Sequence, residues 1–103
     1  MSVLTEKILK NLLSPDNTYR FISNIFKDEI YIYSDNGSYK AISGFCPHFG
    51  GPLTIEGNFL TCNWHGWKFD TKTLRCLNHN VNITIKSYFI KETNDILLIT
   101  NDN

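Results

Sequence analysis

The pattern of apolar and polar positions divides the chain into two textures. Across residues 3–13, Leu4, Ile8, Leu9, Leu12 and Leu13 recur at helical spacing, with Glu6, Lys7 and Lys10 on the other side. This predicts a short N-terminal helix. Ser14-Pro15-Asp16-Asn17 ends it, because Pro15 disfavours helix at the residue before it and the cluster favours a turn. From Tyr19 onward, runs rich in aromatic and β-branched residues alternate with turn residues. These predict strands over residues 19–26, 29–34, 39–43, 59–61, 67–69, 83–90 and 96–100. Asn36-Gly37 joins the second run to the third as a hairpin, since both central residues of a type I′ turn need positive φ and these tolerate it. Short strands, tight turns and little helix predict an all-β fold, a small antiparallel barrel or sandwich. Alternation within the runs is imperfect, so the pattern leaves open which face of each strand is buried.

Length and composition narrow the class. At 103 residues the chain is expected to form a single domain over residues 1–103, with a core small enough that a bound cofactor would add materially to stability. An apolar fraction of 42% and a charged fraction of 19% suit a soluble globular protein. Ten basic residues balance ten acidic ones, so no general nucleic-acid or membrane-surface binder is indicated. The N-terminus carries no basic region leading into an apolar run, and no stretch approaches the roughly 20 apolar residues of a membrane span. A cytoplasmic setting is the resulting expectation, and an odd third cysteine, Cys76, agrees with a reducing compartment.

Candidate chemistry is concentrated in residues 46–70, CPHFGGPLTIEGNFLTCNWHGWKFD. Cys46 and His48 form one short pair, Cys62 and His65 another, and 13 residues lie between the pairs. Each pair offers one soft thiolate and one imidazole. Two facing loops could thus present two sulfurs to one metal and two nitrogens to a second, the donor set of a [2Fe-2S] centre with His in place of Cys on one iron. The common zinc finger with two Cys and two His groups both Cys in one pair and both His in the other, whereas the order here is Cys, His, Cys, His. A structural zinc module is the weaker alternative. No Ser/His/Asp set, phosphate loop or paired carboxylates stand out, so this chain alone is not expected to be an enzyme.

At Cys46-Pro47-His48, Gly50-Gly51-Pro52-Leu53 and Cys62-Asn63-Trp64-His65-Gly66-Trp67-Lys68-Phe69-Asp70 the sequence resembles the two cluster-binding loops of Rieske iron–sulfur proteins. It is most similar to the ferredoxin and ring-hydroxylating-oxygenase branch, and looser similarity extends over residues 19–100. The resemblance implies a Rieske-type barrel with the loops 44–53 and 62–67 capping one end. It further implies that Cys46 and Cys62 hold the inner iron and His48 and His65 the outer iron of one [2Fe-2S] cluster. The implied function is a soluble electron carrier, taking single electrons from a flavin-type reductase and passing them to an oxygenase or similar terminal enzyme. The alternative is a small non-catalytic subunit of a larger oxidoreductase, resembling the small subunit of assimilatory nitrite reductase. Because the chain stops just after its last predicted strand, a free-standing protein is expected.

Details around the motif refine these expectations. The high-potential respiratory branch of the family carries a disulfide between the loops and a Ser that donates to the cluster. Gly51 and Trp64 stand where those cysteines would be, and Trp67 follows Gly66 where the Ser would lie. A potential near the low end, roughly −200 to −100 mV, is therefore expected. Amides of Gly50 and Gly51 are expected to face the bridging sulfides, Pro47 and Pro52 to stiffen the first loop, and Phe49, Trp64 and Trp67 to limit water. The stretch between His48 and Cys62 is a few residues shorter than is usual in the family, which implies a tight hairpin over residues 55–59 turned at Glu56-Gly57-Asn58, and Asn63 replaces a frequent Pro. Leu74 replaces a frequent Gly, which predicts a changed turn over residues 71–75, because Leu is poorly suited to positive φ. Cys76 reads as a small apolar packing residue and His79 as a solvated loop residue.

Overall fold

The computed structural model describes residues 3–47 and 50–101. His48 and Phe49 lie outside the described residues, and the expectations for them rest on sequence.

Among the described residues nine strands follow in order: β1 (Thr5–Leu9), β2 (Tyr19–Ser23), β3 (Asp28–Asp35), β4 (Ser38–Ser43), β5 (Leu53–Glu56), β6 (Phe59–Cys62), β7 (Lys68–Asp70), β8 (Ser87–Glu92) and β9 (Ile96–Thr100). Six of them form one antiparallel sheet in the order β1-β9-β8-β4-β3-β2, and β5-β6-β7 form a second, three-stranded sheet. The large sheet curls into a nearly closed barrel. Its two edge strands approach closely enough for Ser23 Oγ on β2 to donate to Glu6 Oε1 on β1 at 2.7 Å.

The predicted N-terminal helix is not formed. Residues 5–9 are instead edge strand β1, paired with β9 from Thr5↔Thr100 to Leu9↔Ile96, followed by a single 3-10 turn, Lys10–Leu12. Leu4 and Ile8 are four residues apart, a spacing that places them on one face of a helix or of a strand alike. Ile8 is buried while Leu4, Leu9 and Leu12 remain exposed, so an apolar stripe of helical width was never satisfied. An isolated helix this short is marginal in water, whereas the open edge of β9 offers a full ladder of backbone partners.

Other boundaries shift for local reasons. The expected strand over residues 19–26 stops at Ser23, whose hydroxyl accepts the Phe26 amide at 3.0 Å, and the chain turns through Lys27 at φ 55°. The expected strand over residues 83–90 begins only at Ser87. Residues before it pair instead with residues 74–76: Cys76 donates to the Ile83 carbonyl and Ile85 to the Leu74 carbonyl. Both hairpins form as expected. Asn36 and Gly37 adopt φ 53° and 86° between Asp35↔Ser38, and Gly57 adopts φ 62° between Glu56↔Phe59.

Strand β3 is the partition of the molecule. Ile30 and Ile32 enter a barrel core with Ile8, Ala41, Tyr88, Leu97 and Ile99. Tyr31 and Tyr33 enter a second core with Ile42, Cys46, Leu53, Leu60, Cys62, Trp67, Phe69, Leu74 and Ile85. Because all four consecutive side chains are buried, the strand carries no polar face. That is why its sequence did not alternate. The second core packs the small sheet onto the large one and places both motif cysteines at the junction.

Candidate metal centre

Two loops built on one plan carry the motif. In the first, the Cys46 amide donates to the Gly51 carbonyl at 2.7 Å and the Gly50 amide donates back to the Cys46 carbonyl at 2.8 Å. In the second, the Cys62 amide donates to the Trp67 carbonyl at 2.8 Å and the Gly66 amide to the Cys62 carbonyl at 2.9 Å. Gly50 and Gly66 stand at φ 77° and 70°, a region where a β-carbon is disfavoured. Each cysteine thus opens a tight turn closed by a glycine four residues on. Pairing Leu53↔Cys62 and an Asn63 amide donating to the Pro52 carbonyl at 3.1 Å lock the loops to each other. Asn63 supplies an N–H that proline lacks.

The Gly50 amide, expected to face sulfide, is engaged in this turn. Gly51 has a different role. A β-carbon there would lie 2.9 Å from Cys62 Sγ and 2.9 Å from Cγ and Cδ2 of Trp64. The indole therefore occupies the space beside the second thiol, and only glycine leaves room for both.

The thiols of Cys46 and Cys62 are buried in the same apolar core, at 2% and 0% exposure, whereas His65 lies exposed at the tip of its turn. Sulfur inside and imidazole outside is an asymmetric donor arrangement, and soft thiolate with borderline imidazole suits iron–sulfur chemistry. Among the described residues, no three of His, Cys, Asp and Glu gather to hold one metal ion, and the fourth candidate, His48, is outside that set. Trp67 is buried and Trp64 is 63% exposed, so of the expected shields Trp67 lies in the core and Trp64 covers Gly51 from the solvent side.

The segment after β7 braces the second loop, a role the sequence did not reveal. Asn78 Nδ2 donates to the Gly66 carbonyl at 3.0 Å and its Oδ1 accepts the Lys68 amide at 3.0 Å, spanning Trp67. His79 is exposed as expected, yet its ring stacks on Trp67 at 4.2 Å and 24°. Cys76 is half-buried against the site core, in keeping with a packing role. Among the described residues no disulfide links the cysteines. The turn over residues 71–75 keeps the geometry that a glycine would give: Leu74 sits at φ 64°, its amide donating to the Asp70 carbonyl at 2.9 Å. Burial of its side chain in the site core holds it there. The Asp70 carboxylate accepts the Thr73 amide at 3.0 Å, which lowers its pKa below the usual carboxylate value.

Among the described residues, no helix is long and apolar enough to cross a membrane. A family model described as Rieske [2Fe-2S] domain matches residues 10–89. Cholesterol 7-desaturase nvd of Hemicentrotus pulcherrimus is 27% identical over 96 residues, which cover 81% of this chain and 20% of that protein. A putative Rieske 2Fe-2S iron-sulfur protein of Mycolicibacterium smegmatis is 40% identical over 52 residues, covering 42% of this chain and 10% of that one. The chain spans a fifth or less of these relatives. The ferredoxin of carbazole 1,9a-dioxygenase from Nocardioides aromaticivorans IC177 superposes with a TM-score of 0.68 at 22% identity, over 89% of this chain and 91% of that one. A putative NADH-dependent nitrite reductase small subunit from Mycobacterium tuberculosis superposes with a TM-score of 0.71 at 14% identity, over 97% and 96%.

Proposed function

The chain belongs to the Rieske [2Fe-2S] domain family, an electron-transfer module holding one such cluster per chain, and on that premise we propose that Cys46, His48, Cys62 and His65 are the ligands. The observation that carries this assignment is the matched pair of turns, each opened by a buried cysteine with its histidine two or three residues on and each closed by a positive-φ glycine. When bound, the cluster would supply a reversible one-electron site with two neutral imidazoles in place of two thiolates, which makes it easier to reduce than an all-cysteine centre. Cys46 and Cys62 would bind as thiolates in a dry pocket, and His65 would reach the surface with its outer ring edge. That edge offers an electron a way out of the core.

We place the protein as a carrier, without catalysis of its own, between a flavin-type reductase and an oxygenase or similar terminal enzyme. Likeness in fold to a dioxygenase ferredoxin supports this reading, and a lone cysteine outside the ligand set, Cys76, supports a reducing, cytoplasmic setting. Likeness to a nitrite reductase small subunit keeps a fixed-subunit role as the second reading. Iron and acid-labile sulfide analysis, visible spectra and EPR of the dithionite-reduced protein test the ligand set, and redox titration tests the low potential. Replacement of His65 by Ala should abolish the native spectrum. A His65→Ala protein with an unchanged Rieske spectrum sinks the assignment, and retention in a stoichiometric complex on gel filtration of cell extract favours the subunit role.

A further inference from the structure

The first ligand loop narrows to a neck at Gly44 and Leu53. There the Leu53 amide donates to the Gly44 carbonyl at 2.9 Å and the Gly44 amide to the Glu29 carbonyl at 2.7 Å. Arg20, on edge strand β2, reaches this neck. Its Nη1 donates to Glu29 Oε1 at 2.6 Å and to the Gly44 carbonyl at 3.1 Å, and its Nη2 donates to the Leu53 carbonyl. One planar cation therefore grips both chain ends of the loop and anchors them to β3.

We infer that Arg20 is a positioning residue for the iron–sulfur site: it fixes the neck of the loop that carries Cys46 and His48, and so fixes the approach of those ligands. This rests on the ligand assignment above and goes beyond it.

Four observations carry the inference. The guanidinium lies over the Tyr31 ring at 4.4 Å, its cross-strand partner, so the fork is held in orientation as well as in reach. Gly44 leaves the space that the grip uses, since a β-carbon there would meet Arg20 Nη1 and Glu29 Oε1 at 2.8 Å each and the pair would have to shift. The ion pair is mostly shielded, with side chains 28% and 17% exposed, so it keeps more strength than a surface pair. Finally, β2 already pairs with β3 through the backbone from Tyr19↔Ile32 to Ser23↔Asp28. The bonds to Gly44 and Leu53 add nothing to that ladder and act only on the loop. By contrast, Lys10 and Glu92 pair at 2.6 Å far along the chain from either ligand loop.

The whole chain with its cluster is the material for the test, compared with Arg20→Ala, Arg20→Lys, Glu29→Gln and the control Lys10→Ala. Arg20→Ala should lose its visible absorption to a chelator about tenfold faster than the parent, as expected for loss of a charge-assisted hydrogen bond. Its reduced EPR signal should broaden. Arg20→Lys keeps the charge but cannot span two carbonyls and a carboxylate at once, so it should fall in between, and Lys10→Ala should match the parent. An Arg20→Ala protein with a lowered melting temperature but parental chelation rate, EPR line shape and potential would reduce Arg20 to a structural residue. Full recovery by Arg20→Lys would equally overturn the role of the fork. Should Arg20→Ala fail to fold, Glu29→Gln and Arg20→Lys carry the same comparison. If the parent binds no cluster, the ligand assignment fails instead. The neck is then read in the cluster-free chain by hydrogen exchange, where Arg20→Lys should speed exchange of the Leu53 amide, and unchanged exchange there overturns the grip.

Discussion

Gly51 shows how tightly the two loops are fitted. Replacing it by Ala would set a methyl group 2.9 Å from Cys62 Sγ and from two ring atoms of Trp64. The thiol or the indole must then move. Gly51→Ala should fold yet hold well under half the parental iron, measured per chain. Removing the ring as well, in Gly51→Ala with Trp64→Ala, should restore only part of it, because the contact with sulfur remains. Equal iron in Gly51→Ala and the parent would contradict this fit. Leu74 is the opposite case, a residue whose side chain outweighs its backbone. At φ 64° a non-glycine residue costs about 1–2 kcal/mol, but truncating a buried aliphatic side chain costs about 2–5 kcal/mol. Leu74→Gly should therefore destabilise the domain by about 1–3 kcal/mol in urea unfolding, even though it relieves the backbone. The family motif was legible because its residue types and spacing are local information. Asn78 and Arg20 were not, since what matters about them is a carbonyl brought close by folding, and nothing in a run of turn residues or a strand arginine marks that.

Several elements read from sequence succeeded because their own residues dictate them. Asn36-Gly37 dictated its own hairpin, and the run 96–100 became β9 with the same limits. Strand β1 failed because its partner lies at the other end of the chain, and β3 failed to alternate because both its faces are covered. This partition by β3 has a measurable consequence. Ile8 belongs to the barrel core, and Leu60 to the core that also contains both cysteines. Ile8→Ala and Leu60→Ala should each cost about 2–5 kcal/mol, so both should melt at lower temperature. Only Leu60→Ala should also shift the EPR line shape, since it loosens the wall behind the thiols. Equal spectroscopic change in the two variants would show that the cores are not mechanically separate.

Across the whole molecule, alkaline pH should act on both cores through two buried phenols. Burial pushes the Tyr33 phenol well above its ordinary value, reinforced by Asp35 and Asp70. Burial and the hydrogen bond to Asp28 do the same for Tyr88, whose hydroxyl donates to Asp28 Oδ2 at 2.7 Å. In the unfolded chain these groups ionise near about pH 10. Above that, the unfolded state releases protons that the folded state retains, so stability must fall as pH rises, by up to about 1.4 kcal/mol per pH unit for each phenol. Below about pH 10 the contribution is fully present. Tyr33 also donates to the Thr71 carbonyl at 2.8 Å, tying β3 to the turn behind the site. Tyr33→Phe loses that bond and should be less stable than the parent at neutral pH by about 1 kcal/mol. It also loses the alkaline penalty, so the two stability curves should cross near about pH 11. Urea unfolding followed by far-ultraviolet circular dichroism at intervals from neutral to strongly alkaline pH reads this directly. Curves that stay parallel throughout would mean that Tyr33 ionises as readily in the folded protein as in the open chain, and that the core behind the thiols is wet.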